Sequence, residues 1–269
     1  MDLVLIGTLL LAVLVGISLG LLGGGGSILT VPILTYVVGM DPQEAIAASL
    51  FIVGTTSAVS TLSHARAHRV RWRTGLVFGA AGMAGAFVGG LLGGFVPGTV
   101  LLLLFAAMMI ATATAVIRGR SRRTAAVDDA ARPLPVARLV LDGFLVGIAT
   151  GLVGAGGGFL VVPALTLLGG LPVAVAIGTS LLVITMKSFA GLAGYLLTVQ
   201  LQWPTVLAFT AAAVAGSFIG TALAGKIPEK RLRTGFGVFV LVMGVVVLVQ
   251  ELPAAISLVT PGACPGISR

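Results

Sequence analysis

Long apolar blocks alternate with short polar joints along this chain. Ten blocks can be marked, at about 3–22, 27–38, 44–63, 75–95, 99–117, 139–153, 158–169, 173–197, 205–225 and 234–250. Most approach the roughly 20 residues that a helix needs to cross a bilayer. All are expected to be helical, because lipid offers no water to unpaired backbone groups. Two of them, 27–38 and 158–169, hold only about a dozen residues. Alone they cannot cross a hydrocarbon core of roughly 30 Å. Each follows a run of small residues, Gly23-Gly24-Gly25-Gly26-Ser27 in one case and Gly154-Ala155-Gly156-Gly157-Gly158 in the other. A short helix joined by such a run to a long one reads as a broken or hairpinned pair.

The two runs lie 131 positions apart, from Gly23 to Gly154, and that shift holds well beyond them. Gly16, Gly20, Pro32, Gly39, Ser49, Ser57, Trp72, Gly85, Gly89 and Pro97 meet Gly147, Gly151, Pro163, Gly170, Ser180, Ser188, Trp203, Gly216, Gly220 and Pro228. The chain is two copies of one five-block unit. Repeat one takes residues 1–117 and repeat two 139–251, with a basic linker at 118–138 and a tail at 252–269.

Composition fixes the class. Of the 269 residues 58% are hydrophobic and 9% charged, as befits a polytopic membrane protein rather than one or two soluble domains. The formal net charge of +8 does not point to nucleic acid, because the basic residues other than Lys187 sit between or beyond the apolar blocks, where they act as topology signals. The first block lacks a basic start and a cleavage site, and its counterpart around Gly147 lies mid-chain, so it is expected to stay in the mature protein. A single cysteine, Cys264, excludes an internal disulfide and a cysteine metal cluster.

Three basic stretches set the orientation: His64–Arg73, the linker with Arg118, Arg120, Arg122, Arg123, Arg132 and Arg138, and Lys226–Arg233. In repeat one the basic joint follows the third block and Phe95–Thr99 is uncharged. In repeat two Thr198–Gln202 is uncharged and the basic joint follows the fourth block. Equivalent joints thus carry opposite signals, as two oppositely inserted copies would. The expected fold is an all-α polytopic membrane protein of two inverted repeats, each of about five helical segments, with both termini outside. The rival count makes the short block re-entrant, with four crossings per copy and parallel repeats, and would leave Lys226–Arg233 outside. Asp41-Pro42-Gln43-Glu44 predicts a capped helix start with a capping-box glutamate.

Broken helices in inverted repeats are the plan of secondary transporters, whose site lies near the midplane. Helices starting after the two glycine runs aim free N–H groups and positive dipole ends at the breaks. Gly23, Gly24, Gly25, Gly26, Ser27, Gly154, Gly156, Gly157 and Gly158 are therefore candidate anion ligands. The plainer alternative is tight helix packing, which also accounts for Gly16/Gly20, Gly85/Gly89, Gly147/Gly151 and Gly216/Gly220.

Lys187 is the sharpest single residue, lying roughly 15 Å from either end of its block at 1.5 Å per residue. A lysine cannot snorkel that far, and no acid falls in the middle of any block. An anionic substrate is one natural partner; a neutral lysine held by hydroxyls is the other. Ser180 and Ser188 share its block, with Ser49, Thr56 and Ser57 in the matching stretch of repeat one, where Thr56 is equivalent to Lys187. Such hydroxyls often only bond their own helix. Trp72, Trp203, Tyr36 and Tyr195 are expected in interfacial belts, and His64 and His68 in water. No Walker lysine, zinc spacing or Ser/His/Asp set is present, so neither an enzyme nor a metal or cofactor site is expected.

The glycine turn, short helix and proline, repeated in two halves, resemble the sulfite exporter TauE/SafE family over about residues 5–250. The resemblance is carried by Gly23–Gly26 with Pro32, Ala45–Leu50, Gly154–Gly158 with Pro163, and Ala176–Leu181. It implies a permease for sulfite, sulfonates or related organosulfur acids in the cell membrane, working by alternating access. The residues alone argue for a small anion. A passive anion channel and a non-transporting membrane scaffold or accessory subunit are the competing functions. The expected partners are the small anion and the lipid bilayer, with no nucleic acid; the small-residue faces would permit a homodimer.

Overall fold

The computed structural model describes the backbone of residues 3–22, 25–117, 136–154, 161, 173–223 and 229–259. All regular structure among these is helical: α1 (Leu3–Leu22), the short α2 (Gly25–Val37), α3 (Pro42–Arg66), α4 (Trp72–Gly93), α5 (Gly98–Ile117), α6 (Val136–Val153), α7 (Val173–Tyr195), α8 (Trp203–Leu223) and α9 (Glu229–Val259). Within the described residues four helices are long and apolar enough to cross a membrane: Pro42–Arg66, Trp72–Gly93, Val175–Tyr195 and Trp203–Leu223. Apart from Val161, the short block at 158–169 lies outside the described residues, as do residues 118–135 of the linker and Cys264.

α2 is irregular along its length. It opens as a 3-10 turn at Gly25–Leu29, passes through a single α turn at Thr30–Pro32, and closes as a π turn at Ile33–Val37. Pro32 has no N–H for the helical ladder, and the π turn begins at the next residue. Gly39 ends the segment with φ +79°, and the Met40 N–H bonds the Leu34 carbonyl at 3.0 Å, one residue farther back than in a Schellman stop, as suits a segment that closes in a π turn.

α3 starts as expected, with the Asp41 carboxylate accepting the Gln43 N–H at 3.0 Å and Pro42 at the first helical position. Glu44 departs from the expected box. Instead of turning back to its own cap, it accepts the backbone N–H of Gln202 at 2.9 Å. Beside it, Gln43 Nε2 donates to the Val96 carbonyl at 2.8 Å. Both uncharged joints are thereby held at the start of α3. The His64–Arg73 joint lies at its other end, about 30 Å away at 1.5 Å per residue.

The packing repeats itself under the 131-residue shift. A Cβ on Gly16 would strike the Ala213 carbonyl, and one on Gly20 the Ser217 carbonyl; their counterparts Gly147 and Gly151 meet the carbonyls of Gly82 and Ala86. Likewise Gly85 and Gly89 meet Phe144 and Ile148, while Gly216 and Gly220 meet Val13 and Ile17. The first helix of each copy therefore lies parallel to the fourth helix of the other, α1 on α8 and α6 on α4. Only missing side chains let the backbones approach this closely.

The central pair is α3 with its counterpart α7, and these run antiparallel. Leu50 lies against Gly191, Gly54 against Ser188 and His64 against Gly178. Numbers rise on one helix as they fall on the other, and the crossing comes near Gly54 and Ser188. α3 is the most buried of the four long apolar helices, and its apolar residues Ala45 to Val53 form the middle of the core.

Candidate substrate site

Lys187 sits in the third turn from the end of α7, close to that crossing, with 1% of its surface exposed. Its stem lies against Gly82 of α4, where a Cβ would come within 2.6 Å of the lysine Cδ. A larger residue there would occupy the space of the lysine chain. The ammonium donates to Thr150 Oγ1 of α6 at 3.2 Å, its one hydrogen-bond partner among the described residues. Thr150 in turn donates to the carbonyl of Val146 at 2.7 Å. An ammonium has three N–H donors, so two find no acceptor among the described residues. Burying a cation so sparsely partnered is costly.

The lysine is thereby tied to the second glycine run. The carbonyl of Thr150 accepts the Gly154 N–H at 3.0 Å, ending α6. Gly154 has φ +72°, the left-handed conformation that glycine adopts without strain. Ser49 of α3 crosses to this residue and donates to its carbonyl at 2.7 Å, within 3 Å also of the Ile46 carbonyl. Lys187, Thr150, Gly154 and Ser49 thus link α7, α6 and α3 at the point where α6 stops.

The other candidate residues divide. Ser57 and Ser188, equivalent positions of the two copies, are both fully buried with hydroxyls that have no partner among the described residues. Thr56 and Ser180 donate to Ile52 and Ile177 of their own helices at 2.7 and 2.8 Å, the plain role that helical hydroxyls often take. Ser27 is buried at the start of α2. Gly25 and Gly26 lie in the opening turn of that helix. Gly23, Gly24, Gly156, Gly157 and Gly158 lie outside the described residues, so the convergence of two helix starts on one anion stays an expectation.

Two assignments change with the structure in hand. His64 is 7% exposed rather than solvated, and neither ring nitrogen has a partner among the described residues; His68, beyond the helix end, is exposed as expected. The reason is that the loop folds back, with Arg69 N–H bonding the His64 carbonyl at 3.0 Å and Arg71 N–H bonding Thr179 Oγ1 at 3.0 Å. Tyr195 is fully buried and donates to the Leu152 carbonyl at 2.6 Å, so it is no belt residue. Trp72 and Trp203 are exposed at the starts of α4 and α8, in keeping with a belt, although Trp203 also stacks edge-on against Phe51 at 5.4 Å. Thr150 was not singled out from the sequence. Its place four residues before Gly154, where the helix must end, is the signal that could have found it.

Known proteins resemble this chain over most of its length. A Xylella fastidiosa protein described as a "Probable membrane transporter protein" is 35% identical over 242 residues, covering 87% of this chain and 91% of its own length. Similarly described proteins of Bacillus subtilis (YunE, 29% identical, 82% of this chain and 89% of that one) and Methanocaldococcus jannaschii (28%, 88% and 94%) also match. No solved structure matches. The sequence model of the sulfite exporter TauE/SafE family matches residues 8–247. This multi-pass helical chain belongs to the sulfite exporter TauE/SafE family of membrane transporters.

Proposed function

We propose that this protein is a secondary transporter that carries a small sulfur oxyanion, sulfite or an organic sulfonate, across the cell membrane by alternating access. The observation that carries the reading is Lys187, a buried cation with one hydroxyl partner, beside the break that ends α6. A tetrahedral or pyramidal oxyanion supplies the missing acceptors. Its negative charge offsets the cost of holding an ammonium in a dry bundle. Ser57 and Ser188 lie on the two crossing helices, in reach of the same region, with donors to spare. The turn that opens α2 at Gly25–Ser27 would add backbone N–H donors.

Alternating access follows from the repeat. What supports two oppositely inserted copies is the antiparallel course of α3 and α7, the matching glycine contacts, and the uncharged joints gathered at one end of α3. With the basic joints at the cytoplasmic side, both termini lie outside. Two copies of one unit facing opposite ways have nearly equal energies when their conformations are exchanged, which is the condition for switching between inward and outward states. The small anion is the partner of this site, and the gradient of its own charge across the membrane supplies one driving force.

The test is uptake of radiolabelled sulfite and of a sulfonate into proteoliposomes, wild type against Lys187→Ala. Loss of a hydrogen bond to a charged group, worth about 1.5–3 kcal/mol, predicts a fall in apparent affinity of at least about tenfold. Equal saturable uptake by both proteins removes Lys187 from the site. Currents that never saturate with anion concentration would mean a channel, and no anion flux in the wild type a scaffold.

A further inference from the structure

Three polar side chains of α3 have no hydrogen-bond partner among the described residues: Ser57, Ser60 and His64. They are 0%, 2% and 7% exposed. Their spacing of three and then four residues puts them on one face of the helix. That face begins at the crossing with α7, where Gly54 lies against Ser188, and ends where His64 lies against Gly178. An orphaned polar group in a buried seam is normally found only where water or a ligand visits. Here three occur in line, from the level of Lys187 to the basic end of the helix. The exposed side chains of Arg66, Arg69, Arg71 and Arg73 surround that end, and such a cluster concentrates anions at a mouth.

The equivalent face of α7 provides a comparison within the same molecule. Under the 131-residue shift Ser57, Ser60 and His64 correspond to Ser188, Gly191 and Tyr195. Gly191 offers no polar group and is packed against Leu50, Ala86 and Gly151. Tyr195 fills its place and is latched to the Leu152 carbonyl. A Cβ on Gly93 would collide with its hydroxyl, so α4 closes tightly over the tyrosine. One end of the pseudo-symmetric seam is thus sealed by a satisfied aromatic, and the other is lined by unsatisfied polar groups.

We propose that Ser57, Ser60 and His64 line the route along which the oxyanion passes between the α3–α7 crossing and the basic end of the protein. The proposal rests on the transport reading above for its cargo. The hydroxyls and an imidazole N–H replace water around the anion as it moves, and Tyr195 with Leu152 holds the opposite end shut. His64 is the first group met behind the arginines.

The test uses single cysteines at Ser60 and, as a second position, Ser57, each as Ser→Cys in a Cys264→Ser parent, with His68→Cys as a surface control. A membrane-impermeant sulfonated maleimide is applied to oriented vesicles from either side, with and without isethionate, a sulfonate that does not react with maleimide. The expected result is loss of the free thiol at positions 57 and 60 from the His68 side only, slowed by isethionate. Unmodified thiols at both positions while His68→Cys reacts would overturn the route, as would reaction from the opposite side alone. Uptake by the Cys264→Ser parent is measured in parallel. Single-cysteine variants that label as expected, in a parent that moves no sulfur oxyanion, overturn the transport reading and not the route. A parent that transports, while the thiols introduced at positions 57 and 60 both stay free, overturns the route and not the transport reading.

Discussion

At the scale of single residues, what decides behaviour is how few partners the buried polar groups have. Lys187 depends on Thr150, so Thr150→Val should leave the ammonium without an acceptor among the described residues. The expected result is weaker folding by about 1–3 kcal/mol, seen as a lower thermal midpoint in detergent that added sulfonate partly restores. Stabilisation by a ligand that binds only the folded state follows mass action. Gly82→Ala should act on the same lysine from the other side, since the new methyl would lie 2.6 Å from Cδ. Its expected signature is a raised KM for the anion with the protein still folded, because the far end of a lysine chain can shift where backbone cannot. Ser49→Ala removes a bond to Gly154 that joins α3 to the end of α6. A cost of about 1 kcal/mol is expected there, read as a fall in the same thermal midpoint. Serine hydroxyls at 49 and 57 looked alike in the sequence; one faces a carbonyl that a helix end has released and bonds it, and the other has no partner among the described residues.

At the scale of helices, glycine does two separable jobs. At Gly39 the left-handed dihedral is needed but nothing lies within 4 Å of a new methyl. Gly39→Ala should therefore cost about 1–2 kcal/mol, the strain of the dihedral alone. Gly154 has the same dihedral with the side chain of Ile46 directly in the way. Gly154→Ala should be worse by the additional cost of overpacking, about 1–3 kcal/mol, and thermal melts of the two variants compare them directly. Gly147 and Gly151 have ordinary helical dihedrals and no space at all, since the Gly82 and Ala86 carbonyls stand where a Cβ would be. Their role is the separation between α4 and α6. The periodicity that marked these as packing glycines was visible in the sequence; which helix each one touches was not, because i and i+4 spacing defines a face without naming its partner.

At the scale of the whole molecule, the two copies are interlocked rather than side by side. The first helix of each lies along the fourth of the other, and α3 and α7 meet at the centre. Severing the copies at the linker should leave each half with a bare small-residue face, so halves expressed separately are expected to associate when made together and to be degraded when made alone. The orientation has its own measurement. Single cysteines at Thr198 and His68, in the Cys264→Ser parent, are expected to label from opposite sides of the membrane. Labelling from one side would contradict the opposed insertion, since these positions lie at opposite ends of α3 through Glu44–Gln202 and His64.

The chain by itself determined that this protein spans a membrane in helices, that it consists of two copies 131 residues apart, where most of the described long helices lie, and that Lys187 is anomalous. Those features follow from local rules: apolar run length, backbone self-sufficiency in lipid, and the cost of an ammonium far from water. Tertiary structure alone decided that Thr150 holds the lysine, that Ser49 joins α3 to Gly154, that Tyr195 is latched, and that His64 is withdrawn from water. Each of these depends on a partner more than thirty residues away or on a loop folding back over a helix end. Such pairings are set by how small-residue faces choose among several equally good neighbours, and no spacing along one helix records that choice.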